Sequence, residues 1–285
     1  MSSSDVLETE HDGHVGTLWL NRPDARNALD RRFWSDLPDA LGTLSADDGV
    51  RALVVAARGP DFCAGLDLKE LAGLLGIART GRGPASGTGS AAVAPRSAGE
   101  PAVRAAIAQM QAAIGAVADC PKPVIAAVHG ACLGAGVDLV TACDIRFASA
   151  DARFSVRETR LALVADLGTL QRLPRIVGSG HVAELAFSGK DVTAARAREI
   201  GLVNDVFDDR ASLLDAARAL AREIAALSPL AVQGTKAVLA ARDRGSIARG
   251  LEDAAARNAA IAQSDDLAEA VAAFLEHRPA RFTGR

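Results

Sequence analysis

Three carboxylates and two small-residue turns are the parts of this chain that can do chemistry. Asp138 falls in the first turn of an expected helix, Glu158 ends a strand-like segment, and Asp166 precedes a helical turn. Buried acids that share a site titrate apart, so that one holds a proton while another accepts one. Each also has a plainer account. Asp138 suits a helix dipole, Glu158 suits an ion pair with Arg157, and Asp166 suits an N-cap. The turns are Phe62-Cys63-Ala64-Gly65-Leu66-Asp67-Leu68-Lys69 and His129-Gly130-Ala131-Cys132-Leu133-Gly134-Ala135-Gly136. Each sits between an expected strand and an expected helix. Small side chains there let a ligand approach the backbone, and two turns facing each other would offer two N–H donors to a developing oxyanion.

Other chemistries lose support. Gly134 and Gly136 are followed by Leu139 where G-x-G-x-x-G needs its third glycine, and no Gly-Lys-Ser/Thr follows. H-E-x-x-H and G-x-S-x-G are absent, which removes the usual signs of metal and serine hydrolases. Of five histidines only His129 adjoins a candidate turn, and packing explains it as well.

The elements that must position these residues alternate. Val15, Thr17 and Trp19 interleave with Gly16, Leu18 and Leu20 as a strand, ended by Asn21-Arg22-Pro23. Phe33, Leu37, Leu41 and Leu44 give residues 31–44 a helical period, with Pro38 predicting a kink or break. Short apolar runs at 52–56, 124–128, 145–148 and 153–156 read as strands. A helix starts near Gly136. Alternating strands and helices imply an α/β core. Beyond about residue 170 the chain reads as Ala-rich helices, roughly 179–187, 193–200, 212–226, 229–240, 246–262 and 265–276. Residues 79–100, rich in Gly, Ser, Ala, Pro and Arg, read as a surface insertion. We therefore divide the chain into a core over 1–205 and a helical cover or oligomerisation region over 206–285.

Composition bounds the rest. The chain has 285 residues, 49% of them hydrophobic, enough for a sizeable core. Lys plus Arg number 32 against 35 Asp plus Glu, a net charge of −3 with no basic block, which argues against a nucleic-acid or membrane partner. Cys63, Cys120, Cys132 and Cys143 form no C-x-x-C pair and read as buried free thiols. No secretory or transit pattern opens the sequence and no receptor-read address closes it, so the expected location is cytoplasmic.

In their order, these segments resemble the enoyl-CoA hydratase/isomerase (crotonase) superfamily. The resemblance runs over Asn21-Arg22-Pro23, Asn27-Ala28-Leu29, Phe62 to Asp67, Pro121 to Val128, Gly134-Ala135-Gly136, Cys143-Asp144-Ile145-Arg146, Gln171-Arg172-Leu173-Pro174, Ala186-Phe187-Ser188-Gly189, Gly201-Leu202-Val203 and Ser228-Pro229. Val137–Arg146 and Ala165–Pro174 are most similar to the Δ3,5-Δ2,4-dienoyl-CoA isomerase branch, which carries acids at the positions of Asp138, Glu158 and Asp166. Typical hydratases carry glycine at the position of Asp166, so this acid discriminates most.

The resemblance implies a ββα-superhelix spiral core with a helical C-terminal region. It implies an oxyanion hole from the N–H groups of Ala64 and Ala135, with Ala135 standing where the family usually has glycine. CoA and substrate contacts are implied for Arg26, Ala28, Ala64, Gly65, Leu66, Asp67, Leu68 and Gly134. Neither metal nor separate cofactor is implied, since coenzyme A is part of the acyl-CoA thioester substrate. Homotrimers, or dimers of trimers, are the usual assembly. The activity implied is isomerisation of 3,5-dienoyl-CoA to 2,4-dienoyl-CoA in fatty acid β-oxidation. A 2-enoyl-CoA hydratase and a non-catalytic acyl-CoA-binding subunit remain as alternatives.

Overall fold

The computed structural model describes residues 5–70 and 100–284. Six strands make the main sheet: β1 (Leu7–Asp12), β2 (Val15–Leu20), β3 (Ala52–Ala57), β4 (Val124–Val128), β6 (Ile145–Ser149) and β9 (Asp205–Phe207), in the order β1-β2-β3-β4-β6-β9. β1 and β2 form an antiparallel pair, and the other neighbours are parallel. A smaller sheet joins β5 (Ala131–Leu133), β7 (Arg153–Ser155) and β8 (Val192–Thr193).

Parallel strands buried on both faces read as continuous apolar runs, which is why β3 and β4 stand out in the sequence. Successive side chains of β3 enter opposite layers. Leu53, Val55 and Ala57 pack with Phe33, Leu37 and Leu41 of the Arg31–Ala46 helix and with Ile114 and Val117 of the Glu100–Asp119 helix. Ala52, Val54 and Ala56 pack on Leu213, Ala217, Ala221 and Ala225 of the Arg210–Ala225 helix.

That second layer revises the domain division. The boundary at 205/206 falls inside β9, and the Arg210–Ala225 helix closes the second face of the sheet. Only the helices after it, Pro229–Ala241, Arg244–Ile261 and Asp265–Leu275, lie beyond the sheet layers.

Pro38 does not break its helix, which runs unbroken from Arg31 to Ala46 behind an Asp30 cap on the Phe33 N–H. Proline removes one backbone bond. The buried stripe continues across it, from Phe33, Trp34 and Leu37 to Ala40, Leu41 and Leu44, and holds the helix together. The insertion read at 79–100 lies outside the described residues except for Glu100, which opens a helix to Asp119 that the sequence reading omitted. All four cysteines are buried free thiols.

Candidate active site

The two turns are stitched together. The N–H of Cys63 donates to the Ala131 carbonyl at 2.8 Å, and that of Leu133 donates to the Cys63 carbonyl at 3.0 Å. Gly65 has φ +94°, and a Cβ on it would stand 2.9 Å from the Leu133 oxygen, so only glycine fits this approach. One donor differs from expectation. The Ala64 N–H is occupied by the Arg26 carbonyl at 2.9 Å. Leu66 lies in a parallel bridge with Leu29, whose N–H donates to the Gly65 carbonyl and whose carbonyl accepts from the Asp67 N–H. In such a bridge the intervening residue turns its own N–H to the opposite side. Leu66, rather than Ala64, therefore presents the free donor of the first turn, with no partner among the described residues. Ala135 opens the Ala135–Ala142 helix, where first-turn N–H groups have no intrahelical acceptor.

Leu66, Gly134, Ala135 and Glu158 line one cavity of about 170 Å³, together with Ala64, Gly65 and Leu68. Its apolar wall adds Leu133, Leu161, Leu163 and Phe274, and Arg157 and Arg160 complete it. A Cβ at Gly134 would lie 3.5 Å from Glu158 Oε1, so the carboxyl sits over the second turn. Arg26, Ala28 and Asp67 are not in this lining. Arg26 pairs with Asp61 at 2.6 Å, and Asp67 accepts from Arg22 at 2.8 Å and from the Lys69 N–H at 3.0 Å. Asp67 thus ties the turn to Arg22.

The three acids come together. Asp138 is fully enclosed, and its Oδ1 accepts the Thr169 N–H at 2.6 Å while Oδ2 has no partner. It therefore ties the helix of the second turn to the segment carrying Asp166. Asp166 is not an N-cap, since Gly168 holds that place in the Thr169–Arg172 helix. Its backbone carbonyl accepts from Gln111 at 2.7 Å. Glu158 begins a 3-10 turn, Glu158–Leu161, with Oε2 buried and unpartnered.

Burial, reinforced by the charges of Asp138 and Asp166, pushes Glu158 up to about 8. Burial also pushes Asp166 up to about 7, against a hydrogen bond from Asn258 and with the charge of Asp138. Asp138 is raised by burial, opposed by Thr169 and by the positive charge of Arg172. Both acids thus titrate near neutrality, with Glu158 in the cavity beside the two free N–H donors and Asp166 and Asp138 outside its lining.

Several contributors escaped the sequence reading. Asn258 brackets Val164, accepting its N–H at 2.8 Å and donating to its carbonyl at 2.7 Å. Phe274 reaches the cavity from the last helix. Both come from the region assigned to cover or assembly, and nothing local in either helix marks them.

A family model described as enoyl-CoA hydratase/isomerase matches residues 10–81 and 95–285. The chain is 42% identical, over 98% of its length and 96% of the relative's, to an Arabidopsis thaliana protein named peroxisomal Delta(3,5)-Delta(2,4)-dienoyl-CoA isomerase. It is 41% identical, over 95% of its length and 88% of the relative's, to a mitochondrial protein of the same name from Dictyostelium discoideum. A crystal structure of an enoyl-CoA hydratase/isomerase from Xanthobacter autotrophicus Py2 superposes with a TM-score of 0.82 at 31% identity, covering 99% of this chain and 100% of that one. The organelles named for the first two relatives overturn the cytoplasmic expectation, which rested only on the absence of targeting patterns. With its sequence matched nearly end to end and its spiral shared with a solved member, the chain belongs to the enoyl-CoA hydratase/isomerase family.

Proposed function

We propose that this enzyme isomerises 3,5-dienoyl-CoA to 2,4-dienoyl-CoA in fatty acid β-oxidation. The observation that carries the reading is buried Glu158 beside the free N–H groups of Leu66 and Ala135, with a second buried acid, Asp166, acting on its charge. The thioester oxygen is held by those two donors, each worth about 3 kcal/mol as charge develops on it. Glu158, over Gly134 and next to Ala135, is the acid nearest that oxygen and therefore nearest C2. The reactive form of the pair carries its proton on Asp166, leaving Glu158 as the carboxylate that takes the C2 proton. The electrons move to C1–C2, giving an enolate conjugated through C3=C4 and C5=C6. Asp166, further from the donor pair, gives its proton to C6. The enolate collapses to C2=C3 and C4=C5, leaving Glu158 protonated and Asp166 ionised, and proton exchange between them resets the site.

Asp138 takes no proton in this scheme. Its charge raises both neighbours and so helps the pair to hold one shared proton near neutrality. The apolar wall of Leu66, Leu68, Leu161, Leu163 and Phe274 suits an acyl chain. The same reading expects a homotrimer or a pair of trimers, supported by the Pro229–Ala241 helix, which carries no buried residue and exposes Leu230, Val238 and Leu239.

Asp166→Asn tests the assignment. With a 3,5-dienoyl-CoA, formation of the conjugated 2,4-diene, followed by absorbance, should fall by roughly 10²–10⁴-fold. Near-normal turnover would remove Asp166 from the mechanism. Rapid hydration of crotonyl-CoA by the unaltered enzyme, without dienoyl isomerisation, would favour a hydratase.

A further inference from the structure

Arg160 lines the same cavity as Glu158, and the mechanism above gives it no task. Its stem is seated. The Glu158–Leu161 turn rests on the C-terminal end of the Ser179–Ser188 helix, where Thr159 Oγ1 donates to the Ala186 carbonyl at 3.0 Å and Arg160 Nε donates to the Ser188 carbonyl at 3.3 Å. The stem crosses Gly189, where an added Cβ would stand 2.9 Å from Arg160 Cγ and 3.2 Å from Cδ. Gly189 is held in turn by the buried Ser155 hydroxyl, which donates to its carbonyl at 2.7 Å. The head of the side chain is open. Arg157, the other arginine of the lining, is paired with Asp191 at 2.6 Å. Arg160 has no acidic partner among the described residues, and its Nη1 and Nη2 make no hydrogen bond there. A favourable contact with the last carbonyls of the helix accounts for Nε. It does not account for the two terminal nitrogens.

We propose that Arg160 is a specificity-determining residue, and that the acyl chains this site takes best end in a carboxylate: 3,5-dienoyl thioesters whose far end carries an acid group. The inference rests on the isomerase reading, which puts C2 at Glu158 and so lays the acyl arm of the thioester, rather than its CoA arm, along the wall that holds Arg160. That wall is apolar at Leu161, Leu163 and Phe274 and has one uncompensated cation beside them. Its chemical complement is an apolar chain that ends in an anion.

The methylenes of such a chain cover the three hydrophobic side chains, and the carboxylate meets the planar fork of the guanidinium, which can hold it through two parallel N–H···O bonds. A methyl-terminated chain covers the same wall and leaves the cation unmatched. A phosphate of coenzyme A is also an anion, but it lies on the other arm of the thioester.

Two measurements test this. The first compares 3,5-dienoyl-CoA substrates in pairs of equal chain length, one methyl-terminated and one carboxy-terminated, over a series of lengths. At the length that reaches Arg160, kcat/KM should be higher for the carboxy-terminated member by about tenfold or more. Arg160→Met should abolish that preference, and Arg160→Lys should keep part of it. Arg160 is exposed, so its replacement leaves the core intact. Equal kcat/KM within every pair for the unaltered enzyme would overturn the proposal. So would an equal loss for both members in Arg160→Met, and a matching loss of affinity for free coenzyme A would then assign the arginine to a phosphate. The second measurement needs neither turnover nor a variant. By calorimetry, the unaltered protein should bind a saturated carboxy-terminated acyl-CoA more tightly than its methyl-terminated counterpart by a similar factor, and equal affinities at every length would overturn the proposal. That binding preference without isomerisation of any dienoyl-CoA would overturn the isomerase reading and leave the carboxylate site standing. Isomerisation with no preference in either measurement would do the reverse.

Discussion

Glu158 shows how far a single residue could be read before folding and where the reading stopped. Its place at a strand end made it a candidate, but its proton affinity depends on Asp138, twenty residues earlier, and on Asp166. The donor assignment failed for a similar reason. The small Ala64-Gly65 pair marked the turn correctly, yet which N–H is free depends on the bridge from Leu66 to Leu29, far back in the chain. Glu158 also carries a stability consequence. Its folded value of about 8 exceeds the ordinary 4.5, so the native state keeps a proton that the unfolded chain releases. The resulting stabilisation is complete below about pH 4.5 and lost as pH rises through 8. Glu158→Gln keeps a neutral side chain at every pH. Its stability relative to the unaltered enzyme, from urea unfolding, should be near zero difference at pH 4 and grow to roughly 4 kcal/mol in its favour by pH 9. A pH-independent difference would show that the proton is not held in the fold.

The elements were legible where their own pattern was strong. β3, β4 and the late helices have the expected bounds within a few residues. β1 carries no strand pattern of its own because it is a polar edge strand, and β9 none because it is three residues long. The Glu100–Asp119 helix was within reach. Val103, Ile107, Met110, Ile114 and Val117 recur at alternating spacings of four and three, the stripe of a buried helix face. That helix matters to the site because Gln111 holds the Asp166 carbonyl while also donating to Leu251 at 3.0 Å. The Arg244–Ile261 helix meets the same segment through Asn258, which is buried. Asn258→Ala leaves the Val164 N–H and carbonyl without their partner, at a cost of about 1–3 kcal/mol. It also removes a hydrogen bond that lowers Asp166, so the carboxyl should titrate higher. The expected result is a lower urea midpoint together with a limb of the pH–turnover profile displaced toward alkali. A stability loss with an unmoved profile would confine Asn258 to holding Val164.

At the scale of the molecule, the sheet layers close on themselves but the late helices do not. The Arg210–Ala225 helix buries Leu213, Ala217, Ala221 and Ala225 against the sheet. The helix that follows buries nothing, although its sequence from Pro229 to Ala241 contains a single charged residue, Lys236. Lys236 is fixed to Asp144 at 2.6 Å, and it pins the helix to the core by one ion pair while Leu230, Val238 and Leu239 stand open, 72–86% exposed. Leu227 and Phe187 add further exposed apolar surface, on the chain before this helix and on the Ser179–Ser188 helix. Exposed apolar surface of this kind on a well-packed domain marks an association surface. Charge placed on such a surface opposes its burial more than it disturbs the isolated chain, because the altered side chains already face water there. Leu230→Glu combined with Val238→Glu should therefore turn a particle of three or six chain masses, measured by light scattering on a sizing column, into single chains that keep the circular dichroism of the fold. If the unaltered protein already runs as one chain at micromolar concentration, these helices serve some other contact and the expected assembly is wrong.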